Sequence, residues 1–205
     1  MKKLPEKTVE RLSQYRRVLI TCVEEGKQHI FSHELAILLH IKPVQVRRDI
    51  MLISHTGTLR KGYDIKELID LIGRLLDSPE TQNVIVVGMG NLGRAITSYF
   101  NGKRSKLAIV ATFDTDENKV NRIVSGVHCY HTNQMAEYIQ KEKVRIGIIA
   151  VPPEYAAKVA EELVLAGIKG ILNYTSTSLN VSNHVYLEEY DMITSLEKVA
   201  FFSKK

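Results

Sequence analysis

Two rhythms of apolar residues divide the chain. Up to about residue 76, apolar side chains recur every three or four positions, the period of a helix with one buried face. Leu12, Tyr15, Leu19 and Cys22 or Val23 form such a stripe. They predict a first helix over about 9–25, capped by Thr8 without a capping box and stopped at Gly26. Ser32 is placed to cap a short second helix, "HELAILLH", and Pro43 suits the first turn of a third, "PVQVRRDIMLIS". Gly57 and Gly62 bracket a turn-prone stretch, "GTLRKG". Asp64 and Glu67 form a capping box for a fourth helix ending near Leu76. Three short helices followed by a glycine-bounded basic hairpin predict a winged helix-turn-helix domain.

From residue 83 the rhythm changes. "VIVVG", "LAIVATFD", "VHCY", "RIGIIAVP" and "GILNY" are nearly unbroken apolar runs. Helical segments separate them, from Leu92, near 117–122 (capped by Asp116), at 133–142 and at 154–166. Strands apolar on both faces are parallel strands covered by helices, so this half predicts an α/β fold, a Rossmann-like, doubly wound parallel sheet. A possible strand at "VYLEEY" and a helix over about 192–203 complete it. "DSPETQ", 77–82, reads as the linker, which gives domains 1–78 and 79–205. No internal repeat or low-complexity segment stands out.

Composition adds limits. The 205 residues are enough for two small domains, and 44% hydrophobic with 25% charged residues is ordinary for a globular protein. No apolar run approaches the roughly 18 residues of a membrane span. In "MKKLPEKTVE", Pro5 and Glu6 stand where a signal peptide needs its apolar core. A cytoplasmic location and no membrane partner are expected. Cys22 and Cys129 lie far apart and outside any C-x-x-C pair, as buried free thiols do.

The net charge of +5 is uneven: +4 falls in residues 1–78 and +1 in 79–205. Within 40–62, Lys42, Arg47, Arg48, Arg60 and Lys61 face one acid, Asp49. Such an excess points to a polyanion partner. In "KPVQVRRDI", Gln45, Arg47 and Arg48 are expected on the exposed side of a helix that fits a major groove, with Val44, Val46 and Ile50 turned inward. Lys42, Arg60 and Lys61 are candidates for phosphate contacts. A solvated basic face is the alternative for this helix taken alone.

Chemistry enters at "NVIVVGMGNLGRAITSYF", residues 83–100. Gly88, Gly90 and Gly93 form a G-x-G-x-x-G directly after a strand, and Asn91 and Leu92 open the following helix. Gly88 allows the tight turn, Gly90 leaves room for a pyrophosphate, and Gly93 lets helix and strand approach. The helix N-terminus offers free N–H groups to the phosphates. Asp114 ends the second strand, where a carboxylate accepts from both ribose hydroxyls and repels a 2′-phosphate, favouring NAD(H) over NADP(H). A dehydrogenase would further need a proton donor beside the nicotinamide. His128, Cys129, His131, Lys169 and Tyr174 are the candidates, but no Ser-Tyr-Lys set, H-E-x-x-H or metal spacing appears. The sheet also leaves no room for a catalytic domain. The remaining alternatives are an NAD-dependent oxidoreductase with a helical N-terminal domain, and a binding module for coenzyme A or an adenine nucleotide. Asp114 counts against coenzyme A, whose ribose carries a 3′-phosphate.

Taken together, "LPEKTVERLSQYRRVL", "PVQVRRDI", "GYDIKELI", "VVGMGNLGRA", "TFDTDENKV", "AVPPEYAAKVAEELVLAGIKGILN" and "YDMITSLEKVAFF" resemble the Rex family of bacterial redox-sensing transcriptional repressors. The resemblance covers nearly the whole chain. It implies a homodimer whose winged helices bind a palindromic operator and whose C-terminal helix is swapped between subunits. It implies that NADH closes the dimer and releases DNA, while NAD+ competes for the pocket and permits DNA binding. Val151 and Pro152 then join the cofactor-binding residues. Tyr99, Asp191 and Arg17 match the polar set that couples nicotinamide, C-terminal helix and DNA domain. The chain departs from the family pattern in the wing, "IMLISHTGTLRKGY", in Met192 where an aromatic residue often follows the aspartate, and in "NYTST" after the fifth strand.

Overall fold

The computed structural model describes residues 4–53, 61–100 and 106–204. The chain forms two compact units, Met1–Ser78 and Pro79–Lys205. Among the described residues no helix is long and apolar enough to cross a membrane.

Among its described residues the first unit packs four helices: α1 (Glu6–Glu24), α2 (Ser32–Leu38), α3 (Pro43–Leu52) and α4 (Ile65–Leu76). Two short strands, β1 (His29–Ile30) and β2 (Tyr63–Asp64), pair antiparallel. The expected stripe of α1, Leu12, Tyr15, Leu19 and Cys22, is buried. It meets Leu35 of α2, Val46 and Ile50 of α3, and Ile65, Leu68 and Ile72 of α4. Asp64 caps α4 by accepting the Glu67 N–H at 2.9 Å.

Two expected caps are corrected. Helix α1 starts three residues early because Pro5, already extended, takes the N-cap; Thr8 lies inside the helix and is buried. Phe31 takes the N-cap of α2, and the Glu34 carboxylate accepts its N–H at 2.7 Å. Ser32 instead holds Nη1 of Arg47 at 3.2 Å. Val44, expected inside, is 47 % exposed. Residues 54–60, which hold most of the expected wing, Gly57 and Arg60, lie outside the described residues.

The second unit is built on β3 (Gln82–Val87), β4 (Leu107–Asp114), β5 (Arg122–Val124), β6 (Val127–His131), β7 (Ile146–Ile149), β8 (Gly170–Asn173) and β9 (Tyr186–Glu189). Their order is β5-β6-β4-β3-β7-β8-β9, and all pairings are parallel except β5 with β6. From β6 to β9 this is the Rossmann strand order. The connecting helices are α5 (Asn91–Phe100), α6 (Met135–Lys141) and α7 (Pro153–Ala166). Alternate residues of β3 serve opposite cores: Ile85 and Val87 pack with α6 and α7, and Val84 and Val86 pack with Ile96 of α5. Burial of both faces is the physical reason that the strand reads as an unbroken apolar run. Cys22 and Cys129 are buried and free.

The helix expected near 117–122 is replaced by a turn and β5. Asp116 starts one turn, its carbonyl accepting the N–H groups of Lys119 and Val120, but Asn121 follows at φ +60° and ends it. Ser125 and Gly126 then take positive φ, the two-residue turn whose twist suits a hairpin. Val124 pairs with Val127 across it. A last helix, α8 (Met192–Phe202), buries none of its residues.

Candidate functional site

Gly88 stands at φ +94°, and a Cβ there would lie 2.5 Å from the Ala150 carbonyl oxygen. A side chain at Gly93 would overlap the Gly88 carbonyl oxygen, while one at Gly90 would meet nothing within 4 Å. The first and third glycines thus let β3, β7 and α5 approach. The middle one borders open space. That space is a cavity of about 690 Å³ at the carboxyl ends of the central strands.

Gly88, Gly90, Asn91 and Leu92 line the cavity from the β3–α5 turn, and Val151 and Pro152 line it after β7. Asp114, Thr115, Asp116 and Lys119 form the β4 side; Tyr155, Lys158, Val159 and Glu162 of α7 close it. The helix N-terminus at Asn91 offers free backbone donors to an anion beside Gly90.

Asp114 is more constrained than its position at a strand end suggests. Oδ2 accepts the Met89 N–H at 2.8 Å and the Lys119 ammonium at 3.1 Å, and Oδ1 accepts the Asp116 N–H at 2.9 Å. Burial opposes its charge, but the N–H groups of Asp116 and Met89 and the lysine outweigh burial and hold its pKa below the usual range. The residue is ionised at neutral pH. Lys119 also reaches Asp116 at 3.3 Å. It sits in the turn that replaced the expected helix, so helical spacing gave no hint of it.

Within one chain, the remaining candidates stand elsewhere. Gly93 is packed behind the cavity. Tyr99 is exposed, its ring edge-on to Phe100. Asp191 caps α8: Oδ1 accepts the N–H groups of Ile193 and Thr194, and Oδ2 accepts the Thr194 hydroxyl at 2.6 Å. The Thr194 hydroxyl and these N–H groups lower its pKa. Neither Tyr99 nor Asp191 lines the cavity, and neither do His128, Cys129, His131, Lys169 or Tyr174. Cys129 is fully buried and Lys169 lies just before the amino end of β8.

In the first unit, Lys42, Arg47 and Arg48 of the α3 region and Lys61 are exposed. Gln45 is half-buried, and its amide donates to Asp49 Oδ1 at 2.9 Å. Asp49 is 0 % exposed. It accepts two bonds from the Arg11 guanidinium, at 2.6 and 2.8 Å, and one from the Tyr15 hydroxyl at 2.7 Å. Burial pushes its pKa up, but the donors Arg11, Tyr15 and Gln45 prevail and hold it low. Burial and the adjacent Asp49 push the Tyr15 hydroxyl the other way. This polar cluster ties α3 to α1 and turns Arg47 and Arg48 outward. The bonds of Arg11 and Tyr15 to Asp49 escaped the sequence reading, which placed Tyr15 only in the buried stripe of α1, because the partner lies more than 30 positions away. Arg17 is exposed on α1.

Comparison with known proteins adds to this geometry. Residues 79–177 match the family model for a CoA binding domain, and residues 3–50 match one for a putative DNA-binding protein N-terminus. Over 202 residues the chain is 36% identical to the redox-sensing transcriptional repressor Rex of Geobacillus kaustophilus (strain HTA426), covering 98% of this chain and 94% of that one. The fold is similar to the crystal structure of RSP in complex with β-NAD+ and operator DNA. The TM-score is 0.90 at 28% identity, over 99% of this chain and 94% of that one. The complex of RSP with β-NADH gives 0.87 at 28% identity, over 99% and 95%.

Proposed function

The chain belongs to the Rex family of redox-sensing transcriptional repressors, and we propose on that premise that its hold on a palindromic operator is set by whether its cavity contains NADH or NAD+. It acts as a regulator, not an enzyme, on cytoplasmic DNA. The observation that carries this reading is the pairing, in one chain, of a glycine-turn cavity ending on Asp114 with an outward-facing basic helix fixed through Asp49. Gly88, Gly90, Asn91, Leu92, Asp114, Val151 and Pro152 form the dinucleotide site, with Gly93 packed behind it. Lys42, Gln45, Arg47, Arg48, Arg60 and Lys61 face the operator, with α3 as the recognition helix. Gln45 reads a base through the carbonyl oxygen that Asp49 leaves open.

The two ligands differ by one hydride and one positive charge on the nicotinamide. They shift a conformational equilibrium only by their difference in affinity for its states. In this proposal the difference is felt by Tyr99, Asp191 and Arg17, brought together in a homodimer. Helix α8 supports the dimer: Ile193, Leu196, Val199, Phe201 and Phe202 stand 61–69 % exposed. An isolated helix of this length is not stable in water without a surface to cover it. Exchanged between subunits, it puts Asp191 within reach of the partner. Closing of the dimer by NADH then changes the separation of two recognition helices that must match half-sites about one DNA turn, roughly 34 Å, apart.

A gel-shift titration of the full chain on a palindromic fragment from its own promoter region tests this. NADH is expected to release the DNA, and NAD+ to leave it bound. D191N keeps an N-cap acceptor but removes the charge, and is expected to blunt the NADH response without loss of DNA affinity. Equal operator affinity in saturating NADH and NAD+ would overturn the proposal.

A further inference from the structure

We propose that Lys119 is a specificity-determining residue for the adenosine ribose: its ammonium donates to a ribose hydroxyl oxygen while Asp114 accepts from the diol. This rests on the dinucleotide reading above.

Lys119, Asp114 and Asp116 share the cavity wall. The lysine side chain is only 31% exposed and is held by both carboxylates, at 3.1 and 3.3 Å. Its backbone is fixed as well. The Lys119 N–H bonds the Asp116 carbonyl at 2.9 Å, and Asn118 closes the turn onto Asp116 Oδ1.

The acceptor positions of Asp114 decide what a bound ribose must do here. Each carboxylate oxygen has about two acceptor positions. Oδ2 of Asp114 already takes Met89 and Lys119, and Oδ1 takes Asp116 alone. A diol brings two O–H donors, so one position is missing. It opens when Lys119 leaves Oδ2, and the ammonium keeps Asp116 as its counter-ion. The N–H so released meets a ribose oxygen, which needs a donor. The exchange pairs both diol hydroxyls and the released N–H.

The same lysine sets how strongly a 2′-phosphate is refused. Two carboxylates and one ammonium leave one net negative charge at the ribose. Neutralising Asp114 removes it and frees the ammonium for the phosphate, as a phosphate-binding lysine acts.

Calorimetry on the full chain with NADH and NADPH tests this, comparing the wild type with K119M, D114N and D114N/K119M. K119M is expected to bind NADH about tenfold more weakly, the effect of one charge-assisted hydrogen bond. D114N is expected to gain about tenfold or more in NADPH affinity, and the double variant to lose that gain. K119M binding NADH as the wild type does would overturn the proposal, and so would an NADPH gain that survives in the double variant. If D114N fails to fold, because it holds Met89, the NADH affinity of K119M decides alone. A wild type that binds no NADH would instead overturn the dinucleotide reading itself.

Discussion

Asp49 and Gly90 show two ways in which a single residue would serve the proposed function. Asp49 does so by holding Arg11, Tyr15 and Gln45. Its pKa is depressed in the folded chain, so it contributes stability above its ordinary value of 3.8, lost as pH falls below that through the folded value. Its removal strands a part-buried guanidinium and a buried hydroxyl. D49A is expected to cost about 3 kcal/mol, measured by urea denaturation at pH 7, with the difference from wild type shrinking toward pH 3. A loss independent of pH would contradict this account. In the proposed function Gly90 acts by what it lacks, a side chain that would intrude on the cavity. G90V is expected to leave the melting temperature unchanged and to weaken NADH binding at least about tenfold, or roughly 1.4 kcal/mol. G88A is expected to do the opposite, destabilising the fold by about 1–3 kcal/mol through its positive φ and the Ala150 carbonyl. Paired melting curves and NADH isotherms separate the two. The glycines and Asp114 were legible because their spacing encodes a local turn. Arg11, Tyr15 and Lys119 were not, since their roles depend on partners that the chain brings close only on folding.

At the scale of elements, periodicity placed nearly every strand and helix. Both faces of the central strands and one face of each helix in the first unit are buried, and that burial is what writes the pattern. The miss at 117–122 had a different cause. "DENKVNRI" has helix-compatible residues, but Asn121 takes a left-handed conformation and Ser125-Gly126 makes a hairpin turn. "VSGV", an apolar pair around a turn dipeptide, was the available signal. Helix α8 was legible as a helix, but its apolar residues do not meet the core of their own chain. Such a pattern marks a surface for something else. L196E is expected to turn a dimer into monomers in sedimentation velocity while leaving the melt of the remaining fold in place. A wild-type chain that sediments as a monomer would contradict the role given to α8.

For the whole molecule, the proposed function joins two units whose chemistries are separate: an exposed basic helix in one, and in the other a cavity between a helix N-terminus and a carboxylate. Neither is a sensor alone. Function requires that the occupancy of one change the affinity of the other, and such coupling is reciprocal. If NADH lowers operator affinity by some factor, operator must lower NADH affinity by the same factor. The most direct test is therefore the NADH affinity of the full chain, measured by fluorescence with and without saturating operator duplex. The account predicts that NADH binds more weakly on DNA, by the factor with which NADH weakens DNA binding, and that NAD+ shows no such loss. An NADH affinity unchanged by operator would contradict it.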